Sequence, residues 1–269
     1  MMRRREEIIS GEHTGQEAKK ARSRLYVSAL LVLMALVAMT AATVAWFSIA
    51  DRTKVQTMSL DIAADPDMRM DLDPHKKFSQ YVKTLTFDAI ASRIQKEKGF
   101  SMKETPLEPV TTSDTKTFTY ENGTVVKNTT GAYLEFTLHF MAEKDMTVHL
   151  SSANSSGKED GTKISSKNPG LPQAMRISFT ADGQTWIYDP GMGATVNGGK
   201  NVRTFGLPGA SGMKLSASNA MFSLKKNVNK PVLVHIWMEG TDPSCTDALK
   251  AADYAIRLRF TGEAKDEKK

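Results

Sequence analysis

The sequence predicts a mostly β protein, in which an N-terminal apolar helix precedes a jelly-roll-like β-sandwich with long glycine-rich loops. Two observations carry this prediction. An uncharged apolar run extends from residue 25 to residue 50. Beyond it, apolar and polar residues alternate with a period of two, which is typical of half-buried strands. Many short strands separated by turns indicate a sandwich or a jelly roll.

The composition excludes some classes of protein. The chain has 269 residues and a formal net charge of +6. Lysines and arginines form no stripe with interleaved aromatic residues, so we expect no nucleic-acid partner. Cys245 is the single cysteine, so the chain can form neither an internal disulfide nor a cysteine-based zinc site.

The run 25–50 is long enough to cross a membrane. A helix rises about 1.5 Å per residue and needs roughly 20 apolar residues to span a bilayer. Residues 1–24 before the run carry seven lysines and arginines and four glutamates. The positive-inside rule therefore places residues 1–24 in the cytoplasm and the chain after residue 51 outside.

Two interpretations of this run remain open. The long N-terminal region favours a signal anchor that stays in the membrane. The small residues Thr43 and Ala45 favour a cleavable signal, because they occupy the positions that a signal peptidase reads, with the cut between Ala45 and Trp46. We favour the cut. In both interpretations the protein is exported across the plasma membrane and is extracellular or held at the cell surface.

The start of the chain resembles the camelysin/TasA family of Gram-positive bacteria. The matching features are the apolar helix, the Thr43-x-Ala45 element, the aromatic pair Trp46-Phe47, and Ser59-Leu60-Asp61-Ile62 in a strand-like segment. The resemblance implies export, processing by a signal peptidase of the SipW type, and a jelly-roll domain. For some members it also implies a biofilm-matrix fibre made of many copies.

The alternating pattern predicts individual strands and the residues that each one buries. Residues 133–140 and 146–150 are predicted to form a hairpin around Glu143-Lys144-Asp145. Asp182-Gly183 is predicted to be the turn between strands at 175–179 and 185–188. Further strands are expected at 58–62, 232–239 and 253–260, and a short helix at 86–97.

These elements divide the chain into four segments. Residues 1–24 form the cytoplasmic basic region, 25–50 the signal peptide or signal anchor, 51–261 the extracellular sandwich, and 262–269 a polar tail. Within the sandwich, residues 152–172 and 189–231 are polar and glycine-rich, and we expect them to be long loops.

Few residues suggest chemistry. Glu239, Asp242 and Asp247 cluster around a predicted turn and could together supply oxygen ligands for calcium. We expect no other metal or cofactor. His139 and His149 are expected to share the outer face of the predicted hairpin as exposed histidines. Neither a nucleophile–base set nor an HExxH zinc motif is visible in the sequence, so the protein is predicted not to be an enzyme.

Two functions follow as expectations. The first is a TasA-like matrix or fibre subunit that forms a homo-oligomer by strand addition, with Met58, Leu60 and Ile62 anchoring one copy on the next. The second is a membrane-anchored binding module, an adhesin that contacts glycan or protein through its loops or through Trp186 and Trp237. A surface hydrolase is a third and weaker interpretation.

The cleavage site makes the first testable prediction. Ala45→Leu places a bulky side chain where a signal peptidase requires a small one, so this variant should stay in the membrane uncut. The wild-type chain should appear in the medium with Trp46 as its first residue. The measurement is N-terminal sequencing of the protein from membranes and from medium.

The matched control is Val44→Leu, because the peptidase does not read that position, and this variant should be cut normally. An uncut wild-type chain confined to the membrane would contradict the prediction and favour the anchor.

Overall fold

The computed structural model describes the chain in eight stretches. These are residues 26–34, 55–62 (backbone only), 67–154, 157–191, 201–207, 219–246, 249 and 252–265. The chain divides into two units, Met1–Ile49 and Ala50–Lys269. The predicted cleavage residues Thr43, Ala45 and Trp46 lie outside the described residues.

The first unit contributes one helix, α1, at residues 26–34. Its large apolar side chains are exposed, with Tyr26 at 73% and Leu31 at 64%. The other residues of the predicted helix 25–50 lie outside the described residues. Among the residues that are described, no helix is both long enough and apolar enough to span a membrane.

The second unit is mostly β. Its described α-helices are α2 (Phe87–Lys98) and α3 (Gly170–Ala174), and a short 3-10 helix lies at Phe78–Gln80. Its first seven strands are β1 (Val55–Ile62), β2 (Met68–Asp71), β3 (Thr84–Leu85), β4 (Pro109–Val110), β5 (Leu134–Ala142), β6 (Met146–Leu150) and β7 (Lys163–Ser166). The remaining strands are β8 (Met175–Ala181), β9 (Gln184–Tyr188), β10 (Val202–Phe205), β11 (Ala220–Leu224), β12 (Lys230–Glu239) and β13 (Tyr254–Ala264).

Within the described residues these strands form two sheets. The six-stranded sheet has the order β11-β6-β13-β1-β3, with β7 also paired to β13. The seven-stranded sheet has the order β10-β9-β8-β12-β5-β2, with β4 also paired to β12. Most neighbours are antiparallel, but β1 runs parallel to β13, β10 to β9, and β4 to β12.

The two sheets share one apolar core. Phe260 of the six-stranded sheet contacts Phe140 and Phe179 of the seven-stranded sheet, with ring centroids 5.1 and 5.5 Å apart. Phe222 of the six-stranded sheet makes similar contacts with Phe140 and Trp186. Because edge-to-face rings add to the free energy of apolar burial, these contacts help to hold the sheets together.

A further layer covers the outer face of the seven-stranded sheet. Residues 107–133 cross this face as a loop-rich segment, in which Thr119 bridges to Thr111 and to Val125. Phe118 and Val126 from this segment pack on Trp237 of β12 in a separate apolar cluster. As a result β12 is buried on both faces, and its outward-pointing side chains lie in a water-poor layer.

Local sequence explains how α2 begins and ends. Thr86 precedes the helix, and its Oγ1 accepts a hydrogen bond from the backbone N–H of Ala89. Gly99 ends the helix with φ of 85°, a left-handed conformation that favours glycine. Ile90 and Ile94, one turn apart, are both buried. The helix predicted at 86–97 is confirmed.

The strands predicted at 58–62, 133–140, 175–179, 185–188, 232–239 and 253–260 are also confirmed. Asp182 and Gly183 form a tight turn between β8 and β9, with φ of 51° and 74°. Such a pair of positive φ values matches the right-handed twist of a hairpin. The apolar residues that alternate along β13, from Tyr254 to Phe260, are buried. Arg259 lies between two of them and is buried as well, in an ion pair with Asp160.

The predicted β5–β6 hairpin is wrong. Strand β5 pairs with β12 and β2, whereas β6 pairs with β11 and β13 in the other sheet. Residues 143–145 therefore carry the chain from one sheet to the other. Apolar alternation predicts which side chains of a strand face a core. The apolar side chains of β5 and β6 do face the same core, but the two strands belong to the sheets on opposite sides of it.

The long loops predicted at 152–172 and 189–231 also need correction. Strand β7 and the start of α3 fall in the first, and β10 and β11 in the second. These strands are short and flanked by glycine and polar residues, so they left no periodic signal. The glycine-rich stretches 192–200 and 208–218 lie outside the described residues.

The contact between the sheets makes a stability prediction. Phe260→Ala removes a fully buried ring from between Phe140 and Phe179, so the free energy of unfolding should fall by about 3–5 kcal/mol. The control Val125→Ala changes a side chain that is 62% exposed and should alter it by less than about 0.5 kcal/mol. Urea unfolding of both variants provides the measurement, and equal losses would contradict the core described above.

Candidate functional site

The segment predicted to add to a neighbouring copy pairs with its own chain. Met58, Leu60 and Ile62 belong to β1, which lies between β13 and β3. Their Cα partners on β13, in parallel register, are Ile256, Leu258 and Phe260. On the other side, β1 makes only two antiparallel pairs with β3, at Leu60 and Asp61.

Strand β13 depends on β1 for most of one edge. Its opposite edge is shared, with β7 pairing along Tyr254–Arg257 and β6 along Phe260–Ala264. Strand β1 covers the remaining edge from Tyr254 to Phe260. Without β1, a row of backbone N–H and C=O groups beside the core would lose its partners, and such an edge readily pairs with another chain.

A polar row crosses the outer face of the seven-stranded sheet. Ser178 on β8, His235 on β12 and Glu135 on β5 are direct cross-strand neighbours. Ser178 Oγ lies 3.4 Å from His235 Nδ1, and His235 Nε2 lies 3.1 Å from Glu135 Oε2. A serine, an imidazole and a carboxylate also make up hydrolase triads, but Ser178 is completely buried here.

Two more side chains reach the end of this row. Lys98 Nζ, at the end of α2, donates to Glu135 Oε1 at 2.6 Å. Asn128 Nδ2 donates to the same oxygen at 2.9 Å. The hydrogen bond with His235 is the main cause that lowers the pKa of Glu135 to about 2, and Lys98 and Asn128 act in the same direction against the effect of burial.

Aromatic rings cover the row. The ring of Phe118 stacks on Tyr133 with centroids 4.1 Å apart and lies 5.3 Å from His235. Burial, reinforced by the charge of Glu135, raises the pKa of Tyr133 to about 12. The carboxylate of Glu135 thus accepts from Lys98 and Asn128, and aromatic rings pack against its third partner, His235.

Glu239 and Asp242, two of the three predicted calcium ligands, already accept hydrogen bonds from the protein. Glu239 accepts from Trp237 Nε1 at 2.9 Å and from Thr241 Oγ1 at 2.7 Å. Asp242 accepts from Arg176 and from the backbone N–H of Ser244. Asp247 lies outside the described residues, and no group of three potential metal ligands occurs among those described. Calcium binding stays a prediction.

Arg176 is the centre of a buried ionic network that the sequence did not reveal. The side chain is fully buried and contacts the carboxylates of Asp242 and Asp189. It also donates to the backbone carbonyls of Gln173 and Met175. A planar guanidinium can serve several acceptors at once, so this arginine links β8 to the turn after β12.

The histidines do not meet. His139 contacts Asn229 at 3.1 Å, whereas His149 contacts Asn219 at 3.2 Å and Glu263 at 3.1 Å. Because β5 and β6 belong to different sheets, these histidines have no shared face. The expectation that both are exposed is wrong, since His149 is buried.

Neither tryptophan proposed for glycan contact is at the surface, since Trp237 is completely buried and Trp186 is 7% exposed. A cavity of about 350 Å³ lies elsewhere, at one end of the sandwich. Its lining includes Thr162, Lys163, Tyr188, Leu207 and Arg257. The cavity combines apolar surface with two cations and the carboxylate of Glu159.

Sequence reasoning missed the cluster of Lys98, Asn128, Glu135 and His235. One signal was present, because Glu135 and His235 both occupy outward positions in strongly alternating strands. Their meeting depends on strand register, and the positions of Lys98 and Asn128 depend on a helix end and a loop. None of these appears in a local pattern.

Comparison of this chain with protein-family models, with curated proteins and with solved structures gives no match. Its function is therefore inferred from its own residues and their contacts.

The Arg176 network makes a prediction about stability. Arg176→Met leaves the buried carboxylate of Asp242 without this cation, so the free energy of unfolding should fall by about 3–5 kcal/mol. Adding Asp242→Asn should restore part of the loss, because it removes one of the two carboxylates that Arg176 contacted. Urea unfolding at neutral pH gives the double-mutant cycle.

Arg93→Met is the matched control. Arg93 pairs with Asp73 and Glu97 at the surface, where an ion pair contributes about 0–1 kcal/mol. Strictly additive losses at Arg176 and Asp242 would contradict a direct interaction between them.

Proposed function

We propose that this chain is a non-catalytic, exported surface protein that polymerises as a TasA-like matrix or fibre subunit. The observation that carries the proposal is the position of β1. This strand follows the predicted cleavage site and completes one edge of β13. The same strand contains Ser59-Leu60-Asp61-Ile62, on which the resemblance to the camelysin/TasA family partly depends.

Assembly would proceed by exchange of β1 between copies. In the monomer β1 closes its own β13, and in the fibre β1 of one copy occupies the same place beside β13 of the next. The hydrogen bonds formed equal those broken, so protein concentration determines the balance. Each copy donates one strand and accepts one, which is a head-to-tail contact that continues into a filament.

Processing precedes assembly in this proposal. A signal peptidase of the SipW type would cut between Ala45 and Trp46 and release a chain that begins nine residues before β1. The segment 25–50 would serve as the helical signal before the cut. We also propose that the two-sheet core is a jelly roll, as the resemblance implies.

The second candidate, a membrane-anchored binding module, is favoured by one observation. The cavity beside Tyr188, Lys163 and Arg257 has the size of a small-ligand site. The two candidates differ in the first residue of the mature chain, since an anchored module keeps residues 1–45 and a fibre subunit begins at Trp46.

An engineered disulfide tests strand exchange. Thr57 and Ala255 are Cα partners across β1 and β13, so Thr57→Cys with Ala255→Cys, in a Cys245→Ser background, should cross-link wherever β1 lies. When the mature chain, residues 46–269, has assembled, the disulfide should join different copies. Non-reducing gel electrophoresis should then show a ladder of covalent oligomers.

Thr180→Cys with Thr185→Cys is the matched control. These residues face each other across the β8–β9 hairpin, with their hydroxyl oxygens 2.9 Å apart, and should link only within one chain. If the variant with cysteines at 57 and 255 also runs as a monomer at high protein concentration, β1 does not exchange and the fibre proposal is wrong.

A further inference from the structure

The cluster at the end of α2 contains the parts needed for an internal cross-link. We propose that Lys98 and Asn128 form an isopeptide bond, with Glu135 as the proton-transfer group. The three residues come from a helix end, a loop and a strand. They are 30 and 7 residues apart in sequence order, so the bond would tie α2 to the layer that covers the sheet.

The first argument is geometric. Lys98 Nζ and Asn128 Nδ2 both donate to Glu135 Oε1, at 2.6 and 2.9 Å. The attacking nitrogen and the leaving nitrogen therefore share one acceptor atom. A carboxyl oxygen in this position can take a proton from one nitrogen and give it to the other without moving, which is the geometry that general acid–base catalysis requires.

The second argument is that the cluster is held in place from several sides. Glu135 Oε2 is fixed by His235 Nε2 at 3.1 Å, so His235 is a positioning residue. The loop that bears Asn128 packs against the segment after α2 through Gly131, which has φ of 83°. A Cβ at Gly131 would lie 2.3 Å from Thr105 Cγ2, so only glycine permits this approach.

The third argument concerns solvent. The side chains of Lys98 and Glu135 are 17% and 21% exposed, and Phe118 and Tyr133 cover the row beside them. Partial burial limits the access of water, which would compete with the lysine amine for the amide carbon of Asn128. It also leaves a path by which the small leaving group can escape.

The reaction balances without an oxidant or a cofactor. Lys98 passes one proton to Glu135, and the neutral Nζ attacks Cγ of Asn128 to form the new C–N bond. A second proton leaves Nζ as the C–Nδ2 bond breaks, and both protons end on the departing nitrogen. One ammonium ion is released, and Glu135 returns to its carboxylate form.

The first proton transfer opposes the reaction, because the surrounding donors hold the pKa of Glu135 near 2. We therefore expect the bond to form slowly, once in each chain. Loss of the ammonium ion into bulk solvent makes the reaction effectively irreversible. A slow step of this kind suits a permanent cross-link in a protein that cannot form an internal disulfide.

Peptide mapping of the full chain tests the proposal. After trypsin digestion, the peptides 97–103 and 128–144 should be recovered as one branched species that lacks one ammonia. Lys98→Arg keeps the positive charge but lacks the amine, and Glu135→Gln lacks the proton acceptor, so neither should yield this species. Lys96→Arg, on the same helix, should yield it as the wild type does.

Three results would overturn the proposal. The first is cleavage after Lys98, with the wild-type peptides 99–103 and 128–144 recovered as separate, unmodified species. The second is loss of ammonia from peptide 128–144 alone, which indicates a cyclic imide at Asn128. The third is a branched species in Glu135→Gln, which contradicts the role of Glu135. Because the wild-type result decides the first two, a variant that fails to fold does not obscure the test.

Discussion

The pairing of β1 with β13 is the constraint on which the two-sheet core depends. Strand β13 carries Phe260, which contacts rings of the opposite sheet, and it is hydrogen-bonded on both edges only because β1 lies beside it. A buried strand with an unpaired edge would leave backbone groups without partners next to an apolar core. Strand β1 therefore supplies the hydrogen-bonding partners that one edge of β13 needs.

In the proposed fibre this dependence links stability to assembly. A strand that is essential, lies near the end of the folded unit and has few other neighbours can be supplied by the same chain or by another copy. Strand β1 meets these conditions, because β3 offers it only two pairs. The contacts that fold the monomer are then the contacts that would build a fibre, and no separate interface is required.

The layer over the seven-stranded sheet has a different consequence. By covering β12 on its outer face, residues 107–133 place Ser178, His235 and Glu135 where water is scarce. Polar groups in such a place must find partners within the protein. The row of hydrogen bonds that results ends at Lys98 and Asn128, and it brings an amine and an amide to one carboxylate.

The sequence by itself determined the longer strands and most of the side chains that they bury, because a period of two depends only on local chemistry. It also determined the ends of α2 and the β8–β9 turn, where capping and turn residues act over a few positions. Only the tertiary structure decided that β5 and β6 belong to different sheets, that β1 lies parallel to β13, and that Lys98, Asn128 and Glu135 meet. The physical reason is that an alternating pattern shows which face of a strand is apolar but contains no information about register or about which partner strand lies beside it.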